Sequence, residues 1–343
     1  MPTARMITNR QRFLDAIMRK NAPGQPVFGT GTSIACRDLM DLTGAQFPDA
    51  HLNAEKMAAL AMTGHTELGF DVVMPLFSVC HEAAAMGCDV KWGNPTLMPE
   101  SGPPIFGDFD DIRIPHDLLE RPGCAVPLQA IGLLKKRLGD DAAVCGKVFG
   151  SWTQSYHYFG IENFLMGTLD DPDKTRRILD RLLPVTIQFA QAQIEAGADC
   201  ILLADHVTRD LCSPETYETF VMSLHQRLAE EIEVPLILHI CGNTLDRVGM
   251  IARTGVACFH WDTKSGPPEQ ERATAGANLA LMGGVSNYLL LRGAPDEVAA
   301  QAANAVAAGM DVVGPECAIP LTTPLANLKA VARATSQPVQ RCP

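Results

Sequence analysis

One histidine and two cysteines have the residue types and positions to bind a metal ion. His239 and Cys241 follow the apolar run at 236–238, and Cys317 follows the short apolar pair Val312-Val313 within the predicted strand 311–314. Imidazole nitrogen and thiolate sulfur are common donors to zinc, and a catalytic zinc takes three protein ligands and keeps a fourth position open. We therefore predict a zinc site of His239, Cys241 and Cys317. The alternative is a buried histidine with two inert core thiols.

Two acidic residues lie close to the predicted ligands in sequence or at a similar strand end. Glu316 directly precedes Cys317 and is a candidate fourth ligand, because zinc accepts carboxylates; its alternative place is the solvent-exposed surface. Asp205 ends another apolar run. It either orients a substrate or a metal-bound histidine, or caps the helix that begins near Ser213. We interpret the remaining cysteines as structural or surface thiols.

The fold must join ligands that lie 76 residues apart in the chain. Helical stretches alternate with apolar runs, and the clearest helix spans 173–195, between Asp171-Pro172 and Gly197. This alternation predicts an α/β protein, a (β/α)8 TIM barrel with its active site at the C-terminal ends of the strands. The predicted strands are 26–29, 71–75, 143–148, 200–204, 236–241, 257–260, 279–283 and 311–314.

Residues 78–126 are rich in proline and glycine and separate the second and third predicted strands. We predict a loop or hairpin insert there, within a single TIM-barrel domain over residues 1–343. Several further side chains would reach the active-site face of that barrel: His81, His206, His260 and Asp262.

The composition favours a soluble enzyme and argues against two other classes of protein. The chain has 343 residues, 47% of them hydrophobic, and a net charge of −11, whereas nucleic-acid binding requires a basic face. No apolar run reaches the roughly 18 residues of a membrane-spanning helix, and the first residues lack the apolar core of a signal peptide. Eleven scattered cysteines without a disulfide framework then predict the reducing cytoplasm.

Both ligand segments carry a resemblance to a known family. The sequences His-Ile-Cys-Gly-Asn-Thr at 239–244 and Gly-Pro-Glu-Cys-Ala-Ile-Pro-Leu-Thr-Thr-Pro at 314–324 resemble the zinc-dependent methylcobamide:thiol methyltransferases. These form a branch of the uroporphyrinogen decarboxylase superfamily that includes the methylcobamide:coenzyme M methyltransferases. The resemblance implies that His239, Cys241 and Cys317 bind one Zn²⁺. Glu316 departs from it, because the family usually carries a small residue before this cysteine.

Weaker matches extend the resemblance over nearly the whole chain. They are Glu-Ala-Ala-Ala-Met-Gly at 82–87, Val-Phe-Gly-Ser-Trp-Thr at 148–153, and the segment 198–205 followed by Ser-Pro at 213–214. The resemblance implies that Glu82 and Asp205 are catalytic and that Trp152 lies in the pocket. Gly283 and Gly284 lie at the end of the seventh predicted strand, and we predict that their backbone amides bind a phosphate, a corrinoid tail or a substrate sulfonate.

The resemblance implies a zinc-dependent methyltransferase that moves a methyl group between a methylated corrinoid and a small acceptor. The acceptor is a thiol such as coenzyme M, which zinc would hold as a thiolate, or tetrahydrofolate. The sequence lacks the Asp-x-His-x-x-Gly motif of corrinoid-binding proteins. We therefore predict that a separate corrinoid carrier protein supplies the methylcorrinoid. The direction of transfer, and whether the chain forms a homo-oligomer, are left open.

Two other functions remain as alternatives. A uroporphyrinogen decarboxylase needs no metal and binds its polycarboxylate substrate through an arginine-rich loop after the first strand. The corresponding loop here, 29–37, has a single late arginine, Arg37, which disfavours that activity. The third possibility is a zinc- or corrinoid-binding module without catalysis, and an open coordination position argues against a purely structural metal.

Overall fold

The centre of the molecule is a parallel sheet of seven strands, and the computed structural model describes residues 7–20 and 26–335. The strands are β1 (Val72–Val73), β2 (Val90–Lys91), β3 (Glu100–Ser101), β4 (Ala143–Phe149), β5 (Cys200–Ala204), β6 (Leu236–His239), β7 (Cys258–Trp261), β8 (Ala280–Val285) and β9 (Val312–Pro315). The central sheet has the order β1-β4-β5-β6-β7-β8-β9, and β2 pairs with β3 as a separate antiparallel hairpin.

Every residue of strands β4 to β9 is buried. The strands of a parallel sheet that is covered on both faces have nearly continuous apolar sequences, which is why these strands could be predicted from the sequence. The helices that cover the sheet are α1 (Asn9–Ile17), α2 (Arg37–Thr43), α3 (Asp49–Leu52), α4 (Ala54–Thr66), α5 (His81–Met86), α6 (Pro122–Leu138), α7 (Ser151–Phe159), α8 (Ile161–Asp170), α9 (Pro172–Glu195), α10 (Pro214–Phe220), α11 (Met222–Glu231), α12 (Val248–Ile251), α13 (Pro268–Ala275), α14 (Asn287–Arg292), α15 (Pro295–Ala307) and α16 (Leu325–Val331). None of these described helices combines the length and the apolar composition that crossing a membrane requires.

Residues 27–29 join the two edges of the central sheet. On one side Val313 N donates to Val27 O at 2.8 Å, and Gly29 N donates to Val313 O at 3.0 Å; on the other, Asp71 N donates to Phe28 O at 2.8 Å. The sequence predicted a full strand at 26–29, but only Phe28 forms a bridge, to Val313. The first predicted strand is therefore a single bridging residue with its two neighbours.

An aspartate directly before each of three strands ties that strand to its neighbour. The backbone hydrogen bonds are Phe28 N to Asp71 at 3.1 Å, Val144 N to Asp199 at 2.9 Å and Leu281 N to Asp311 at 2.9 Å. The ion pairs are Arg12 with Asp71, Arg10 and Lys135 with Asp199, and Arg272 with Asp311. Because Arg10 and Arg12 belong to α1, this helix is fixed across the N-terminal ends of the strands.

The helices agree with the sequence where their caps are strong. Helix α9 was predicted at 173–195, and Asp171 caps it by accepting a hydrogen bond from Lys174 N at 2.9 Å. The helical stretch predicted at 214–231 is instead two helices, α10 and α11, divided at Val221. The segment 78–126 contains the β2–β3 hairpin together with α5 and the start of α6. Its description as an insert within one domain over 1–343 stays a prediction.

Candidate active site

The predicted metal ligands come from two strand ends that the curved sheet brings together. His239 is the last residue of β6, and Cys241 and Cys317 each lie two residues beyond the end of a strand, β6 and β9. The predicted strand 236–241 is therefore too long. The chain turns at Gly242, whose φ is +82° and where a Cβ would lie 2.5 Å from Thr208 Oγ1. The turn therefore begins directly after Cys241.

The three donor atoms converge on one point. His239 Nε2 lies 3.0 Å from Cys241 Sγ, and Cys241 Sγ lies 3.2 Å from Cys317 Sγ. All three atoms lie within 4.8 Å of one another. Around a tetrahedral zinc with bonds of about 2.0–2.3 Å, such donors stand about 3.5–3.8 Å apart. The residues therefore fit a zinc ion after small side-chain movements.

The proton on His239 is fixed by a backbone carbonyl. Its Nδ1 lies 3.0 Å from the carbonyl oxygen of His260, and because a carbonyl only accepts, Nδ1 is the nitrogen that carries hydrogen. The lone pair of Nε2 then faces the cysteines. This is the tautomer that a metal-binding histidine needs.

The two cysteines form a coupled pair of thiols. The hydrogen bond from Cys241 holds the pKa of the Cys317 thiol well below its ordinary value, and the same bond raises the pKa of Cys241 well above it. One sulfur of the pair is therefore already favoured as the thiolate, the form that binds metal.

Glu316 is directed away from the donor cluster. Its Oε1 accepts a hydrogen bond from Asn287 N at 2.7 Å, and its Oε2 accepts from Thr263 N at 2.9 Å and from the Thr263 hydroxyl. The residue is only 5% exposed, so the solvent-facing alternative is wrong. Its hydrogen bonds tie the end of β9 to the segments after β7 and β8. A role as a fourth ligand stays a prediction, and would require these bonds to break.

A cavity of about 290 Å³ opens beside the donor cluster at the C-terminal ends of the strands. Its lining residues are Thr32, Val79, Lys147, Phe149, Thr153, Tyr156, His157, Ala204, Asp205, His206, His239, Cys241, Cys317 and Ala318. Val79 is 44% exposed and marks the mouth of this cavity, whereas Phe149 and Ala204 form buried walls. A small molecule in the cavity would contact the thiols directly.

Asp205 forms part of the cavity wall and is held in a buried network. Its Oδ1 accepts hydrogen bonds from Thr153 N and the Thr153 hydroxyl, both at 2.8 Å. Its Oδ2 lies 3.1 Å from His225 Nε2, and His225 Nδ1 lies 3.1 Å from the Tyr217 hydroxyl. The helix-capping alternative is wrong, because Ser213 caps α10. Asp205 also does not orient His239, since the His260 carbonyl does so.

Lys147 is a cavity residue that the sequence did not reveal. It lies in β4 and is 4% exposed, with its Nζ 5.0 Å from the centre of the Phe149 ring. Burial lowers the pKa of Lys147, and the nearby negative charge of Cys317 and Glu82 acts in the opposite direction. A lysine within the otherwise apolar run 143–149 was the available signal.

Glu82 and Trp152 lie behind the cavity wall rather than in it. Glu82 Oε1 accepts a hydrogen bond from Phe149 N at 2.8 Å, and burial raises the pKa of Glu82 to about 7. Trp152 is fully buried, and its indole N–H donates to the hydroxyl of Tyr156, which lines the cavity. Both residues therefore contact the backs of cavity residues.

Gly283 and Gly284 lie inside β8. A Cβ at 283 would lie 2.8 Å from Trp261 O, and one at 284 would lie 2.7 Å from Ala305 Cβ. The close approach of β8 to β7 and α15 thus explains both glycines. Neither lines the cavity beside His239, and their binding role stays a prediction.

The other predicted rim residues are divided between the cavity and the core. His206 lines the cavity, whereas His260 is fully buried and donates from Nε2 to Pro315 O at 2.9 Å. Asp262 accepts a hydrogen bond from Gly242 N at 2.9 Å and so supports the turn after Cys241. His81 packs against Trp92 with ring centres 5.2 Å apart.

Comparison with known proteins shows the family. A family model described as uroporphyrinogen decarboxylase (URO-D) matches residues 8–337. The chain belongs to the uroporphyrinogen decarboxylase family. It is 32% identical to a methylated-thiol–coenzyme M methyltransferase of Methanosarcina mazei, over 93% of this chain and 86% of that protein. It is also 31% identical to a methylcobamide:CoM methyltransferase of Methanosarcina barkeri, over 96% of this chain and 98% of that one.

The solved structures agree with these relatives. A methyltransferase from Methanosarcina mazei matches with a TM-score of 0.92 and 32% identity, over 96% of this chain and 98% of that chain. The similarity to methyltransferases of the uroporphyrinogen decarboxylase family thus extends over nearly the whole chain. The predicted class of enzyme, a methyltransferase, is confirmed, as is the resemblance carried by 239–244 and 314–324.

Proposed function

We propose that this uroporphyrinogen decarboxylase family enzyme transfers a methyl group between a methylated corrinoid and a small thiol of the coenzyme M type. The observation that carries the proposal is the convergence of His239 Nε2, Cys241 Sγ and Cys317 Sγ at the wall of a cavity. Two relatives that match along most of their length are coenzyme M methyltransferases by name, which supports the thiol acceptor.

The proposal includes a closed (β/α)8 barrel. Residues 27–29 act as the eighth strand, because they hydrogen-bond to β9 on one side and to the residue before β1 on the other. In such a barrel functional residues collect at the C-terminal ends of the strands, where the cavity lies.

The metal of the proposed site is zinc, held by His239, Cys241 and Cys317. A bound zinc ion would lower the pKa of a thiol at its fourth position, so that the thiolate exists at neutral pH. His239 provides a neutral nitrogen because the His260 carbonyl holds its Nδ1 hydrogen. Cys241 and Cys317 face the cavity, so an acceptor that enters it reaches the same point.

In the forward reaction the thiolate sulfur of the acceptor attacks the methyl carbon of the corrinoid. The sulfur–carbon bond forms, the cobalt–carbon bond breaks, and its electron pair remains on cobalt. The protein's part is to hold the acceptor against buried walls such as Phe149 and to keep the mouth near Val79 accessible. A corrinoid is far larger than this cavity, so a separate carrier protein presents it at the mouth.

Asp205 and Glu82 serve as positioning residues in this proposal. Asp205 fixes Thr153, which lines the cavity, and its two oxygens are already engaged by Thr153 and His225. Glu82 accepts a hydrogen bond from Phe149 N and thereby fixes the position of the end of β4. A thiol acceptor is favoured over tetrahydrofolate because an amine gains less from coordination by this donor set. The free cysteines that the site requires are maintained in a reducing cytoplasm.

Decarboxylation of uroporphyrinogen is the alternative within the family. A polycarboxylate substrate needs several cationic side chains, and the cavity has one lysine and no arginine among the described residues that line it. Arg37 begins α2 and is exposed. These observations support methyl transfer.

The test combines metal analysis with a transfer assay. Purified wild-type protein should contain about one zinc per chain and should demethylate methylcobalamin when 2-mercaptoethanesulfonate is added. The variant carrying Cys241→Ala and Cys317→Ala should lose both the metal and the transfer while keeping its circular dichroism, because the metal lies at the rim and the core is apolar.

A matched control separates this result from general damage by cysteine loss. Cys258 begins β7, is fully buried and lies outside the donor cluster, so Cys258→Ala should retain zinc and activity. Full zinc occupancy in the double variant would refute the metal site. Uroporphyrinogen decarboxylation by the wild type would instead favour the alternative.

A further inference from the structure

We propose that Lys147 recognises an anionic group on the methyl acceptor, so that the enzyme selects small thiols that also carry a sulfonate or carboxylate. The inference rests on the proposed function and adds a specificity-determining residue to it. Neither the sequence motifs nor the names of the relatives assign a role to this lysine.

The first support is that the Lys147 ammonium group is buried and forms no ion pair or hydrogen bond with a described residue. The side chain is 4% exposed, and the negative charge of Cys317 and Glu82 acts on it without direct contact. An unpaired buried charge is costly, and proteins retain one mainly where it has a function. Lys147 lines the cavity beside the metal ligands.

The second support is the position of Lys147 beneath the donor cluster. In the sheet register Lys147 pairs with Leu202, whereas Phe149 pairs with Ala204, which in turn pairs with His239. Lys147 thus starts two residues deeper along β4 than the level of His239, and its long side chain rises to the cavity floor. A thiol whose sulfur reaches Cys241 and Cys317 therefore places a group a few bonds away within reach of Nζ.

The third support is the distribution of charge in the cavity. Lys147 is the one lysine or arginine among the described lining residues, whereas the acidic groups of the lining are Asp205 and the thiols of Cys241 and Cys317. Asp205 has both oxygens engaged and Glu82 lies behind Phe149, so neither neutralises the lysine directly. An anion entering the cavity is attracted to this lysine.

The experiment compares acidic and neutral thiols on the zinc-loaded protein. Calorimetric titrations would use 2-mercaptoethanesulfonate, 3-mercaptopropionate and the neutral 2-mercaptoethanol, with wild type and Lys147→Met. Wild type should bind the acidic thiols more tightly. Loss of a charge-assisted contact should weaken their binding to Lys147→Met by about 10- to 100-fold and leave 2-mercaptoethanol nearly unchanged. In the transfer assay the variant should raise KM for the acidic thiol far more than it lowers kcat.

The ratio of the binding affinities for the acidic and the neutral thiols is the internal control. A structural role, or a role at the sulfur itself, would weaken all three thiols alike and would overturn the inference. Should Lys147→Met fail to fold, ethanesulfonate still provides a test, since it should compete with 2-mercaptoethanesulfonate on the wild type; absence of competition counts against the inference. Equal wild-type affinity for acidic and neutral thiols would overturn it while leaving methyl transfer to thiols intact. Wild-type protein that binds no thiol would overturn the proposed function as well.

Discussion

Glu271 is a carboxyl group that the fold buries without a hydrogen-bond partner among the described residues. It lies on α13 and is 1% exposed, and neither carboxylate oxygen has a partner. Burial raises the pKa of Glu271 from its ordinary value to about 7. The folded state therefore holds a proton that the unfolded chain releases near pH 4.5. This contribution to stability is present in acid and is lost as the pH rises through about 7.

Replacing Glu271 by glutamine should therefore stabilise the protein more in alkali than in acid. Glutamine stays neutral, so the gain in unfolding free energy should be about 2 kcal/mol larger at about pH 8.5 than at about pH 5.5. Urea unfolding at the two pH values measures this difference. An equal gain in unfolding free energy at the two pH values would show that burial does not raise the pKa of Glu271.

At the residue scale the metal ligands could be predicted and their surroundings could not. His239, Cys241 and Cys317 were identified because zinc donors are few in type and stood at strand ends. Lys147 was missed because a sequence does not show which lysines are buried. The hydrogen bonds of Glu316 to Thr263 and Asn287 depend on the meeting of three loops, which local patterns do not encode.

Closure of the sheet depends on two glycines that touch. A Cβ at Gly314 in β9 would lie 2.0 Å from Gly29 O, a backbone atom that cannot swing away. Gly314→Ala should therefore separate residues 27–29 from β9 and cost about 2–4 kcal/mol of unfolding free energy. Thermal and urea unfolding measure the loss.

A glycine in open space provides the control for this substitution. Gly249 lies in α12 with no atom within 4 Å of its Cβ position. Gly249→Ala should be neutral or stabilise by up to about 1 kcal/mol, because alanine favours the helix. Equal effects of the two variants would mean that the contact between Gly314 and Gly29 is not needed for closure.

At the element scale the sequence predicted helices with strong caps and strands with long apolar runs. Helix α9 and strands β4, β5 and β8 are found within a few residues of their predicted places. The break at Val221 has no glycine or proline to mark it. Of the first predicted strand, only Phe28 forms a β-bridge, because residues 27–29 only join the two edges of the central sheet. The sequence pattern at 26–29 does not distinguish such a bridge from a full strand.

Two buried histidines influence how the whole molecule responds to acid. His51 and His81 are fully buried with no described partner for any ring nitrogen, and their ring centres lie 5.9 Å apart. Burial lowers the pKa of His51 to about 2 and that of His81 to about 3. Below about pH 6.5 the unfolded chain binds protons at these positions and the folded state does not, so each histidine lowers stability by about 1.4 kcal/mol per pH unit.

His51→Leu should remove part of this acid sensitivity. As the pH falls from about 6.5 to about 5, the unfolding free energy of His51→Leu should rise by about 2 kcal/mol relative to that of the wild type. Denaturant titrations across that interval provide the measurement. His116 is exposed, so His116→Leu serves as the control and should follow the wild-type pH profile. Parallel profiles for His51→Leu and wild type would contradict the expectation.

The aspartates before β1, β5 and β9 have a consequence for how this enzyme can change over evolutionary time. Asp71, Asp199 and Asp311 fasten the sheet at the starts of its strands, and the cavity lies at their far ends. Substitutions that reshape the cavity leave those bonds intact, so they carry little penalty in folding. A lineage that inherits this scaffold can therefore exchange one methyl acceptor for another by altering a few cavity side chains, while the opposite end of the sheet preserves the fold.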